Sequence, residues 1–96
     1  MVSWLLQRRL TQTSTRLRAL RTELSQIDEQ LDVVADEADN QAIRALVSET
    51  PGASFEANDA RKHADAMHRH RQHVAETISS LETRQDELLD QLNAAR

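Results

Sequence analysis

The chain has 96 residues, 39% of them apolar and 2% aromatic, with a net charge of −4 and no cysteine. That length sets one domain at most, and apolar residues this rich in alanine fill a thin seam between helices rather than a thick globular core. The acidity argues against non-specific binding to nucleic acid or an anionic membrane, and the missing cysteines exclude disulfides, thiolate zinc sites and thiol chemistry.

The first segment, Met1–Leu10, places its apolar cluster before Arg8 and Arg9 and has no cleavage-site pattern, so it does not read as a signal peptide. No apolar run approaches the roughly 20 residues that span a bilayer. From Leu6 an apolar row runs through Leu10, Leu17, Leu20, Leu24, Ile27, Leu31, Val34 and Ala38, with Thr13 as its polar break. The spacings alternate between three and four, the period of a helix that packs along one stripe. Past Ala38 the row broadens over Ala42, Ile43, Leu46 and Val47. This predicts helix one over about 3–48.

The only proline and the only glycine are adjacent, at Pro51-Gly52. Proline pushes Thr50 out of the helical region and ends helix one. Thr50 can cap a second helix with Pro51 in its first position, or Ser54 can cap it. The expected bounds are a turn over 49–53 and helix two over about 54–95. There the row resumes as Ala57, Ala60, Ala64, Met67, Val74, Ile78, Leu81, Leu88, Leu92 and Ala95, broken by Arg71 and Gln85. Neither helix has an internal glycine or proline, and both are rich in strong helix formers.

So short a connection makes the helices antiparallel neighbours. Folding about Pro51-Gly52 would pair Leu17 with Leu88, Leu24 with Leu81, Leu31 with Val74, Leu20 with Gln85 and Val34 with Arg71. Arg71 would lay its stem along the seam and reach carboxylates of helix one. Opposite charges would meet: Arg8–Arg21 against Glu76–Asp90, and the acidic stretch Glu23–Asp39 against Arg61–Arg71. In this register Trp4, Leu5 and Leu6 overhang the end of helix two without partners. One thin interface is marginal, so the expected architecture is all-α: a two-helix antiparallel coiled-coil hairpin that dimerises to a four-helix bundle or docks onto a larger protein.

Chemistry is sparse. His70, His73 and Glu76 have helical metal-ligand spacings and are the weak candidates for a metal site, but the chain has no Glu-x-x-His to build a di-iron bundle centre. The expectation is no metal and no cofactor. One glycine cannot make a phosphate-binding loop. The carboxylates spread along solvated faces, whereas general acid–base catalysis needs one in a cleft. We therefore expect no enzyme activity and no small-molecule substrate. The basic stretch Arg8–Arg21 has no interleaved aromatic residues for base stacking, which argues against nucleic acid.

The expected function is a non-enzymatic protein-protein interaction or scaffold module. Candidate partner-binding residues are Ile43, Val47 and Phe55 at the tip, and Trp4 and Leu5 at the other end. Alternatively, the acidic tip residues Glu49, Glu56 and Asp59 insert into a nucleic-acid enzyme. In that respect the hairpin resembles, in architecture alone, the factors that enter the secondary channel of bacterial RNA polymerase; those also carry a globular docking domain, which these residues do not supply.

Three stretches, Arg44-Ala45-Leu46-Val47-Ser48-Glu49-Thr50-Pro51, His63-Ala64-Asp65-Ala66-Met67-His68-Arg69-His70-Arg71 and Arg84-Gln85-Asp86-Glu87-Leu88-Leu89, make the chain resemble small, uncharacterised helical proteins of actinobacteria. The resemblance covers most of the chain and brings no activity and no site residues. It implies a bacterial, cytoplasmic protein.

Overall fold

The computed structural model describes residues 2–95, and Met1 and Arg96 lie outside them. Two helices account for nearly all of it: α1 over Val2–Ser48 and α2 over Pro51–Ala94. There is no strand among the described residues.

The connection is shorter than the sequence predicts. Helix α2 begins at Pro51, the first of the two starts the sequence offers, and not near residue 54, so the turn is Glu49 and Thr50 alone. Thr50 is the cap: its Oγ1 accepts the Ala53 N–H at 3.3 Å, and its carbonyl accepts the Ser54 N–H at 3.2 Å. Pro51 then occupies a position where its missing N–H costs nothing. Glu49 takes the left-handed conformation, with φ of 52°, that ends many helices and is usually given to glycine or asparagine. Gly52 sits inside the first turn of α2, with a negative φ and open space where a Cβ would project.

The chain divides into two compact units. The first combines residues 1–24 with 73–96, and the second is 25–72. In the first unit, Leu6, Leu88 and Leu92 form a buried cluster that Leu10 closes from its edge. Leu17 is fully buried, and Val74 and Ile78 are buried on α2. Gln85 Nε2 donates to Ser14 Oγ at 3.0 Å across the pair, and Arg21 lies 3.6 Å from Glu82. These contacts run antiparallel, with lower numbers on α1 meeting higher numbers on α2.

The second unit is a hairpin closed by the turn. Ile27, Leu31 and Ala64 are its buried residues. Arg71 bridges to Asp28 through two donors, Nε to Oδ1 and Nη2 to Oδ2, the latter at 3.4 Å. The hydrogen bond and the charge of Asp28 raise the pKa of Arg71 above its already high ordinary value. The expectation that Arg71 reaches a carboxylate of α1 therefore stands.

The partners differ from those expected. Leu88 packs with Leu6 and Leu10 where the folding point at Pro51-Gly52 implied Leu17; Gln85 meets Ser14 in place of Leu20; Arg71 meets Asp28 in place of Val34. Each shift is toward the start of α1. The reason is the two-residue turn: moving a folding point along a chain moves every facing position by twice as much. Leu6, expected to overhang, is consequently buried.

Two stability changes follow. Leu17→Ala should cost about 2–4 kcal/mol in urea unfolding, because it empties a fully enclosed site, while Thr15→Ala on the exposed side should stay within about 0.5 kcal/mol. Glu49→Gly should raise stability by about 1 kcal/mol, since glycine takes the left-handed conformation without the Cβ clash. A destabilised Glu49→Gly protein would show that the glutamate side chain offsets that clash.

Candidate interaction surfaces

In the second unit the two helices meet through small side chains. Ala35, Ala38, Ala42, Ala45, Ala57 and Ala64 line an open groove of about 580 Å³. A methyl group cannot span the distance between two helix axes, so alanine on both sides leaves space. Asp39, Arg61, Asp65 and His68 also line it, and Leu46 and Ser54 border it near the turn. A second hollow of about 400 Å³, almost wholly apolar, lies against Val33, Val34 and Met67 beside Glu29 and Gln30.

Around the turn, apolar residues stand in water. Leu46 and Val47 are each 79% exposed and Phe55 is 74% exposed, with Ile43 nearby at 60%. The helical period explains this. Ile43 and Val47 are four apart on one face of α1, turned away from the alanines that line the groove. Glu49, Glu56 and Asp59 are exposed in the same region. The expected tip residues are thus all solvent-accessible, but none of them lines the groove. The groove was missed because alanine in an apolar row reads as a filled layer; the run of small residues on both helices is the signal that could have found it.

In the first unit, Trp4 and Leu5 are exposed, as expected, and Leu89 is 40% exposed on α2. The Arg8 guanidinium lies 5.8 Å from the centre of the Trp4 ring, within reach of a cation–π contact. Leu6, which the sequence grouped with Trp4 and Leu5, faces the interior instead.

No group of three His, Asp or Glu side chains is placed to hold a metal ion among the described residues, and His70, His73 and Glu76 do not form one. Nor is any described helix long and apolar enough to cross a membrane. Among the described residues no buried side-chain nitrogen or oxygen lacks a hydrogen-bond partner. What these surfaces offer is contact: apolar side chains and a shallow groove beside exposed charges.

Comparison with known proteins gives no match: no family model, no curated protein and no solved structure is significantly similar to this chain.

If the groove is unfilled space between the helices, Ala45→Leu should occupy it and add about 1 kcal/mol of stability by burying a larger apolar side chain. Thermal unfolding followed by circular dichroism measures this. A fall in melting temperature would mean that the groove is too tight at Ala45 to accept the added carbons.

Proposed function

We propose that this chain is a non-enzymatic protein-protein interaction module whose principal surface is the apolar cluster at the turn. The observation that carries the reading is the exposure of Ile43, Leu46, Val47 and Phe55. The same chain buries Leu6, Leu17, Leu31 and Leu88 completely or nearly so. Helix formation and the internal seam do not require large apolar side chains at the turn, and water penalises leaving them uncovered. Covering them on a partner removes that penalty. The exposed Trp4 and Leu5 offer a second apolar site of the same kind.

A second reading is favoured by Glu49. This residue holds a left-handed backbone that glycine would hold at less cost, and it is exposed between the helices. Backbone strain of this kind collects at functional positions. With Glu56 and Asp59 it makes an acidic tip, which would act by entering a basic channel of a nucleic-acid enzyme.

Immobilised protein separates the two. The Leu46→Ser/Phe55→Ser variant should retain its helix content and lose the protein that the parent captures from its native lysate. Reversal of Glu49, Glu56 and Asp59 to lysine should leave that capture intact. The opposite pattern supports the acidic-tip reading, and capture that neither variant changes overturns both.

A further inference from the structure

We propose that residues 25–72 pair with the same residues of a second copy, through the face that carries the apolar hollow and with both turns at the same end. The whole of this face lies within the second unit, and it is distinct from the apolar cluster at the turn.

Two rows border this face. On α1 the row is Val34, Glu37, Gln41 and Arg44; on α2 it is Glu56, Asp59, His63 and Ala66. Both have the spacing of three and four that keeps residues on one side of a helix. Val34, with Val33 and Met67, lines the hollow of about 400 Å³. Val33 is 70% exposed there, and Val34 and Met67 are half-buried. The alanine groove shares no residue with these rows and opens on the other side of the helix pair. An apolar hollow left to water is unfavourable, and covering it removes that cost.

Charge and symmetry identify the occupant. Over residues 25–48, α1 has six acidic residues and one basic; over residues 51–72, α2 has four basic and three acidic, with three histidines. A foreign helix of one sign would suit one of these helices and repel the other. A second copy brings an acidic helix to the basic one and a basic helix to the acidic one. A two-fold axis parallel to the helices does this, and it leaves every residue at its own height, so the register is not a free choice. Arg71 and Asp28 are level in the hairpin. Counting along both helices from that pair puts Arg44 level with Glu56, Gln41 with Asp59, Glu37 with His63, and Val34 with Ala66, each to within one residue. Across the two copies, Arg44 therefore faces Glu56, the Gln41 amide faces the Asp59 carboxylate, Glu37 faces His63, and Val33 and Val34 meet Ala66 and Met67. Each contact occurs twice, and no like charges meet along the rows. Within one copy, Arg44, Glu37, Glu56 and His63 belong to no ion pair among the described residues. Gln41 Nε2 donates to Glu37 Oε1 at 2.9 Å and holds that carboxylate beside its own row.

Sedimentation velocity across the micromolar range tests this, with circular dichroism to show that each variant keeps its helix content. The wild type should sediment as a dimer. Arg44→Glu and Glu56→Arg should each lose roughly tenfold in self-affinity, because each sets like charges opposite one another twice. The paired change Arg44→Glu/Glu56→Arg should restore the dimer, since acid and base are then exchanged across the interface. Val33→Ser, at an exposed position that does not disturb the fold, should weaken the dimer roughly threefold through lost apolar cover. Leu46→Ser, on the groove side, should leave it unchanged. A monomeric wild type overturns the proposal. So does a dimer that the folded single reversals or Val33→Ser leave unchanged, or that the paired reversal fails to restore. A Leu46→Ser protein that becomes monomeric puts the contact on the groove side and overturns it as well.

Discussion

The turn at Glu49 and Thr50 is the constraint on which the rest of the fold depends. An antiparallel helix pair can slide in register without losing its general apolar complementarity, because leucine faces leucine in several settings. The connection removes that freedom. Glu49 reverses the chain in a single left-handed residue, and Thr50 caps α2 at once, with Pro51 already inside the helix. Facing positions are then assigned: Leu88 meets Leu6 and Leu10, Ser14 meets Gln85, and Asp28 meets Arg71.

Polar groups confirm that assignment in a way that leucines alone could not. Gln85 and Arg71 interrupt the apolar row of α2, yet each finds a specific partner on α1. A slip of one turn toward the start of α1 would set the Gln85 amide against Leu10 and the Arg71 guanidinium against Leu24, and that cost disfavours the neighbouring register on that side. The surface ion pair Arg21–Glu82 adds little, since both side chains are about half exposed. The complementary charge blocks along the helices therefore act mainly against wrong pairings, and hydrophobic burial supplies the stability.

Bulk is distributed unevenly. The first unit closes around leucines, while alanines line the space between the helices of the second. Large apolar residues are not missing from the second unit; Ile43, Leu46, Val47 and Phe55 are simply on its surface. Apolar residues displaced from the seam to the outside are what a contact module requires.

The sequence by itself determined the two helices, the place of the break between them and the apolar rows from which the buried residues are drawn, though it left Leu6 overhanging where the structure buries it. Among the described residues the nine buried apolar ones, from Leu6 to Leu92, lie on the rows that its spacing of three and four marks out. That information is local, because a helix's own geometry decides which residues share a face. Which residue of α1 meets which residue of α2 was decided only by the tertiary structure. The left-handed turn could not be read from a glutamate, since glycine at position 52 was the obvious candidate for the reversal and the backbone did not use it there. The groove between the alanines was likewise invisible, because a row of apolar letters carries no record of whether the side chains are long enough to touch across the gap.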